Sequence, residues 1–294
     1  MIITGKKFSK PEMSRVINGD KVLAQEEQKP EKLRLDLLLV EKHPEYNRST
    51  LQFFIKSGFV TVDGKPAKKP NEKYEKSALV SLSVPENPKI LPSLKVIFED
   101  DNVLVLEKPV GLLSMAKGEY CAEPTLEDYG LLVHRLDRDT SGVVILAKSE
   151  KVQSYLRKQF QDRKTKKTYL AVVSGRPKLD EAKIDLPISR NLKHPTTFQV
   201  DPNGKESTTF YKVLKSNEKF SLLELKPITG RTHQLRVHLS YTGTPILGDR
   251  VYNKLEKISA PRLFLHAKSL EITIPEGDRR VFESETPKEF LELF

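Results

Sequence analysis

Cysteine occurs once in this chain, at Cys121, so no internal disulfide can form and no Cys-rich zinc or iron–sulfur site can be assembled. That usage fits a reducing, cytoplasmic setting. Long apolar runs are missing too. The opening MIITGKKFSK has no apolar core of the kind a secretory leader needs, and no stretch approaches the roughly 18 apolar residues that cross a bilayer. Secretion and membrane insertion are therefore not expected. There is no G-x-x-x-x-G-K-[ST] and no G-x-G-x-x-G, hence neither a phosphate-cradling loop nor a dinucleotide fingerprint. An enzyme built on this chain is expected to work without a nucleotide cofactor. No H-E-x-x-H occurs either. The six histidines are His43, His134, His194, His233, His238 and His266, and the nearest pair is five apart. That is about 140° around a helix, so they share no ligating face and no metal is expected. Internal repeats and low-complexity tracts are absent.

What the chain does have is basic charge. Fifty Lys and Arg against 40 Asp and Glu leave +10, which biases the surface toward polyanionic partners, nucleic acid first. Its 294 residues are enough for about two domains at roughly 150 residues each. Residues 1–32 mix charge with few large apolar side chains and show no period, so they read as a poorly ordered extension. From Leu33 the pattern sharpens. Leu35, Leu37, Leu38 and Leu39 form an apolar run, and Ser49 is a candidate N-cap for a helix that buries Leu51, Phe54 and Ile55 and stops at Gly58. Phe59 to Val62 then reads as a strand, Asp63-Gly64 as a two-residue hairpin turn, and alternating Ala78 to Val84 as a further strand.

Arg48, Lys56, Lys65, Lys68, Lys69, Lys73 and Lys76 crowd around the second helix and the hairpin, making one face basic. The order of elements and the string RSTLQFFIKSGFVTVDGKPAKKPNEKY resemble the S4 RNA-binding domain, over residues 33–85. The resemblance implies that Arg48, Lys56 and Lys65 lie on RNA backbone.

Three prolines between Pro85 and Pro92 mark a linker, placed at 86–92, before a second domain at 93–294. Strand patterns dominate there: Lys95 to Glu99, Val103 to Glu107, Val143 to Lys148, Thr168 to Val173, Thr208 to Leu214, Leu222 to Leu225 and Leu270 to Ile274. Two helices interrupt them. Ser149 is expected to cap one with Val152, Tyr155, Leu156 and Phe160 on its apolar side, and Thr232 to cap another that buries Leu235 and Leu239 and stops at Gly243. Many strands with few helices argue for an α+β fold, a mixed and mainly antiparallel sheet.

The chemistry concentrates in His134 to Gly142, a dense polar stretch between the apolar runs Leu131 to Val133 and Val143 to Leu146. Asp139, Thr140, Ser141 and Gly142 are ordinary turn formers. Asp137 differs, because a carboxylate bracketed by Arg135 and Arg138 can serve as a nucleophile or as an ion-pair partner. Spacing alone leaves those two roles open.

HRLDRDTSG resembles the signature of the RluA/RluD family of RNA pseudouridine synthases, nine residues in a row. Other stretches similar to the family's motifs follow in order: EKPVGLL at 107–113, Lys167-Thr168-Tyr169, GRTHQLRVHL at 230–239, PILGD at 245–249 with Tyr252, and Leu265-His266-Ala267. The resemblance implies that Asp137 attacks the target uridine, so that the base leaves through its nitrogen, rotates and reattaches through carbon, without cofactor or metal. Whether the carboxylate meets ribose or base stays open. By the same resemblance Tyr169 packs on the base and assists the final proton transfer, and Arg231 ion-pairs with the aspartate. Arg135 enters the place of the flipped uridine, Leu235 lines the base pocket and Lys108 is structural. The chain departs from its relatives in having only seven residues between Leu126 and His134, and Ser114-Met115-Ala116 in place of valine, histidine and proline. Arg157, Lys158, Arg163, Lys164, Lys166 and Lys167 fall within eleven positions against Asp162 and suggest a further phosphate-contacting surface.

The expectation is thus a cytoplasmic, monomeric enzyme acting on RNA, with no membrane and no obligate protein partner. Large-subunit ribosomal RNA is the expected substrate and transfer RNA the alternative. The rival class is a catalytically silent RNA-binding protein of ribosome assembly, which would not need Asp137, Tyr169 and Arg231 together.

Overall fold

The computed structural model describes residues 31–83, 91–116, 123–253 and 260–294. The expected extension up to residue 30, most of the expected linker and Cys121 lie outside the described residues. The chain divides between Ser83 and Val84 into two compact units.

The first unit runs β1 (Lys32–Arg34), α1 (Leu35–Lys42), α2 (Arg48–Lys56), β2 (Val60–Val62), β3 (Lys65–Pro66), β4 (Lys73–Glu75) and β5 (Val80–Leu82). Leu35, Leu38 and Leu39 of α1 and Leu51, Phe54 and Ile55 of α2 are buried and form its core. Asn47, not Ser49, caps α2: it has extended backbone, and its side-chain oxygen accepts from the Thr50 N–H at 2.9 Å. Ser49 already lies inside the first turn, where its hydroxyl cannot reach the orphan donors. Asp63 (φ 49°) and Gly64 (φ 75°) are both left-handed, as a tight hairpin between β2 and β3 requires.

Asp36 on α1 is fully buried and gathers Arg34 (3.0 Å), Arg48 (2.9 Å) and Gln52 (2.7 Å). Burial pushes its carboxyl up, but these hydrogen bonds outweigh it and hold the group at about 2. Arg48, assigned to RNA by resemblance, is therefore a clamp between α1 and α2, with about half its side chain still exposed. Lys56, Lys65, Lys68 and Lys69 stand exposed.

The second unit contributes β6 (Lys95–Glu99), β7 (Val103–Lys108), β8 (Leu131–Leu132), β9 (Ser141–Ala147), α3 (Glu150–Gln161), β10 (Lys166–Ser174) and β11 (Glu181–Asp185). It continues with β12 (Ile188–Arg190), β13 (Phe198–Val200), β14 (Thr208–Ser216), β15 (Phe220–Pro227), α4 (Gln234–Tyr241), β16 (Leu265–Thr273), β17 (Arg279–Glu283) and α5 (Lys288–Leu291). Among the described residues ten of these strands form one sheet along the path β11-β14-β15-β10-β16-β9-β7-β6, with β17 on β16 and β8 on β9. The architecture is α+β. All its pairings are antiparallel except β16 with β9, where His266 faces Ser141 and Ala267 faces Gly142.

That parallel seam needs glycine. Gly142 has φ 115°, and a Cβ there would lie 2.2 Å from the Ala267 carbonyl oxygen. Register then continues sideways, since Tyr169 on β10 pairs with Ala267, beside an irregularity at Thr168. One row across three strands therefore joins the end of the polar loop to Tyr169.

Ser149 caps α3, accepting from the Val152 N–H. Val152 and Leu156 are buried and Phe160 stacks on His134, but Tyr155 is 44% exposed, outside the expected apolar stripe. α4 begins after His233 rather than Thr232; the His233 backbone is left-handed and no side chain caps the helix there. No described helix is long and apolar enough to cross a membrane.

Candidate active site

The loop between β8 and β9 is held from below by residues 108–114. Ser114 exchanges hydrogen bonds with the Leu136 backbone, its hydroxyl donating to the carbonyl (2.7 Å) and accepting from the N–H (3.1 Å). Gly111 N–H donates to the Arg138 carbonyl at 2.9 Å. Lys108, fully buried, donates through Nζ to the Pro109 carbonyl (2.8 Å) and the Arg138 carbonyl (2.9 Å). Burial pushes its ammonium down to about 7, against the pull of Asp139 and Asp137. His134 accepts from Ile145 N–H at 3.2 Å, and burial, helped by Lys167, takes it down to about 3, so it is a neutral core residue. These contacts explain why the polar stretch is rigid enough to aim a carboxylate.

Asp137 presents its side chain to a cavity of about 110 Å³ lined by Arg135, Asp137, Lys167, Tyr169, Leu235 and Arg236 among others. On the same measure a single water takes roughly 10–15 Å³, so there is room for a planar ring. Arg236 Nη1 lies 3.5 Å from Asp137 Oδ2, and His233 Nε2 lies 3.9 Å from that same oxygen. Arg236 also forms a fork with buried Asp249, at 2.7 and 2.9 Å, and its guanidinium lies 5.1 Å over the Tyr252 ring. Burial works against its charge, but Asp249 and Asp137 raise it further into the cationic range.

The expected Arg231–Asp137 ion pair is corrected by this geometry. Arg231 is exposed and its Nε donates to the Glu206 carbonyl at 3.1 Å. It precedes α4 and lines the cavity from its exposed side, whereas Arg236 lies in the first turn of the helix, 7% exposed, with its fork fixed by Asp249. Arg236 was legible in principle: an arginine among Leu235, Val237 and Leu239 must find a buried carboxylate.

The other expected residues fall as follows. Tyr169 lines the cavity and packs between the two apolar clusters that meet there; burial first, and the Asp137 charge second, push its hydroxyl well above the usual tyrosine range. Leu235 is buried and lines the cavity. Arg135 is exposed at the cavity, with no hydrogen bond or ion pair to its guanidinium among the described residues. Arg48, Lys56 and Lys65 belong to the first unit. Lys167, read as part of a basic run and of the Lys167-Thr168-Tyr169 motif, lines the cavity, and burial brings its ammonium down to about 8. The rest of that run is dispersed: Arg157 donates to the Leu132 carbonyl, Arg163 faces Glu206, Lys164 faces Asp162 and Lys166 faces Glu271. Among the described residues no group of three His, Cys, Asp or Glu side chains is arranged to hold a metal.

The sequence matches the RNA pseudouridylate synthase family model over residues 102–241 and the S4 domain over 33–80. It is 36% identical over 297 residues to an uncharacterized RNA pseudouridine synthase of Aquifex aeolicus, covering 90% of this chain and 93% of that one. It is 35% identical over 291 residues to the ribosomal large subunit pseudouridine synthase D of Borreliella burgdorferi, covering 88% of each. Human RNA pseudouridylate synthase domain containing 1 has a similar structure, with TM-score 0.59 and 27% identity over 69% of this chain and 86% of that one. A cavity built on a held carboxylate, in a chain with these relatives and an S4 domain ahead of it, makes this protein a member of the RNA pseudouridine synthase family.

Proposed function

We propose that this enzyme isomerises uridine in large-subunit ribosomal RNA, with Asp137 as the nucleophile. The observation that carries the chemistry is that the Asp137 carboxylate faces the cavity with Arg236 at 3.5 Å and His233 at 3.9 Å from its Oδ2. Attack by the Asp137 carboxylate on C1′ forms an ester bond to the ribose as the bond from C1′ to N1 of the base breaks. The freed ring turns within the cavity, and C5 displaces the carboxylate from C1′, which returns Asp137 to its starting state. One proton is lost from C5 and one gained at N1, so the isomerisation balances without an oxidant or a second substrate. Tyr169, held as a phenol, offers a ring face and an O–H donor rather than a phenolate base. Leu235 supplies the opposing apolar wall, and Arg135 is free to fill the stack that the flipped uridine leaves.

The ribosomal substrate is supported by the name of the Borreliella burgdorferi relative and by the S4 domain. In this reading Lys56 and Lys65 add phosphate contacts, and the protein acts as a cytoplasmic monomer. The test is a map of pseudouridine across total RNA from cells with and without the protein, and with Asp137→Asn. Sites that vanish from large-subunit RNA in both deficient strains support the reading. Loss confined to transfer RNA would replace the substrate, and unchanged sites with Asp137→Asn would remove Asp137 as nucleophile.

A further inference from the structure

α4 opens on a left-handed residue. His233 has φ 57° and ψ 16°, a backbone few residues other than glycine adopt, and its side chain caps no helix N–H. The imidazole points inward. Nε2 then faces Asp137 Oδ2 at 3.9 Å, while Nδ1 lies 2.8 Å from the Tyr252 hydroxyl. Tyr252 is fixed in turn. Its backbone N–H donates to Asp249 Oδ1 at 3.0 Å, its carbonyl accepts from Ser240 at 2.9 Å, and its hydroxyl accepts from the Phe198 N–H at 2.9 Å. The ring of Phe198, on β13, meets His233 edge-on at 5.7 Å.

Proton bookkeeping decides the tautomer. A tyrosine hydroxyl has one proton and two lone pairs, and the Phe198 N–H occupies one of the pairs. If His233 carried its proton on Nδ1, the Tyr252 proton would have no acceptor recorded among the described residues, and a bare Nε2 lone pair would face a carboxylate oxygen. With the proton on Nε2, Tyr252 donates to Nδ1 at 2.8 Å and Nε2–H faces the Asp137 oxygen at 3.9 Å, so no lone pair is set against the carboxylate.

Resting on the reaction assigned above, we propose that Tyr252 and the Phe198 peptide hold His233 as the Nε2–H tautomer. His233 and Tyr252 are then positioning residues for the nucleophile. His233 is a neutral N–H aimed at Oδ2 from 3.9 Å. Tyr252 reaches no reacting atom; it sets the histidine tautomer and lies beneath the Arg236 guanidinium, so it orders both partners of the carboxylate at once. The groups facing His233 are Asp137 and Arg135 from the loop before β9, Arg236 from α4, and Asp249 and Tyr252 from the segment after it. Burial, with the two arginines, lowers its affinity for protons and the two aspartates raise it, the net being below the ordinary histidine range. Acidification converts His233 to imidazolium, which cannot accept from Tyr252, and the relay breaks.

The test uses the full chain. In ¹⁵N-histidine-labelled protein without RNA at pH 7.5, the His233 resonance, identified by its loss in His233→Gln, is expected to report Nε2–H. Tyr252→Phe keeps the ring under Arg236 and removes the hydroxyl. One hydrogen bond's worth of orientation should be lost, about a 5- to 10-fold fall in the single-turnover rate, with RNA affinity within about 2-fold. Removing the bond to neutral His233 should also move the acidic limb of the pH–rate profile upward. An Nδ1–H tautomer in the unsubstituted protein overturns the proposal, as does Tyr252→Phe with lowered melting temperature but an unmoved acidic limb. The tautomer is read without turnover, so these results are distinct from failure of Asp137 as nucleophile, which Asp137→Asn reports.

Discussion

Replacing Arg236 and Arg231 in parallel separates two readings of the arginine partner. At 3.5 Å, opposite unit charges attract by about 4–5 kcal/mol at an effective dielectric of about 20. Part of that is offset by desolvation, which Arg236 shares with Asp249, so about 2–4 kcal/mol of orientation should be lost from the transition state. Arg236→Met should then slow single-turnover conversion roughly 30- to 1000-fold. It also leaves Asp249 buried without its fork, although the Val251 and Tyr252 N–H groups still donate to it. A stability loss of about 3–5 kcal/mol is expected in the same variant. Arg236→Met with Asp249→Leu should recover part of the stability and none of the rate. Arg236→Lys keeps the charge but not the fork, and should fall between. Arg231→Leu removes one hydrogen bond at the rim, so its rate should stay within about 3-fold. The assay is release of tritium from [5-³H]uridine RNA in single turnover, with urea unfolding in parallel to hold folding constant. A rate that survives Arg236→Met while collapsing in Arg231→Leu would refute the assignment.

Two further outcomes are expected. His134, partly buried, and His266, fully buried, are held down to about 3 and about 4 chiefly by desolvation, so between about pH 6.5 and 4 the unfolded chain binds protons that the folded chain refuses. Their contribution is therefore complete above about 6.5 and lost as pH falls; at pH 5 each costs about 2 kcal/mol. His134→Asn retains an acceptor for Ile145 N–H and should reduce proton uptake on unfolding by about one, measured by urea midpoints across pH; an unchanged slope contradicts the burial argument. Lys56→Ala and Lys65→Ala should each lower the salt slope of RNA binding by about one unit with turnover of bound RNA unaffected, and slopes equal to the parent protein would take these lysines off the RNA.

Much of the architecture is local and was legible in the chain itself. Asp63-Gly64 specifies its hairpin because both residues tolerate positive φ, and Lys95–Glu99 is a strand because its β-branched and aromatic centre, Val96-Ile97-Phe98, favours extended backbone. HRLDRDTSG marks the loop that carries Asp137, because a polar stretch between two apolar strands reads as a surface loop of fixed ends. The choice of partners was not legible. Nothing within a few residues of Arg231 or Arg236 says which one meets Asp137, since that depends on α4 presenting residue 236 inward beside Asp249, far along the chain. That Arg48 also clamps α1 to α2 was not legible either, since the carboxylate it meets, Asp36, comes from another helix. The cap of α4 at His233 follows from the cavity, because its left-handed backbone is tolerated where Tyr252 and Asp137 hold the ring. Short-range propensity determined the elements; which charges converge was decided by tertiary structure, because a buried ion takes whichever opposite charge the packing of distant strands and helices delivers to it.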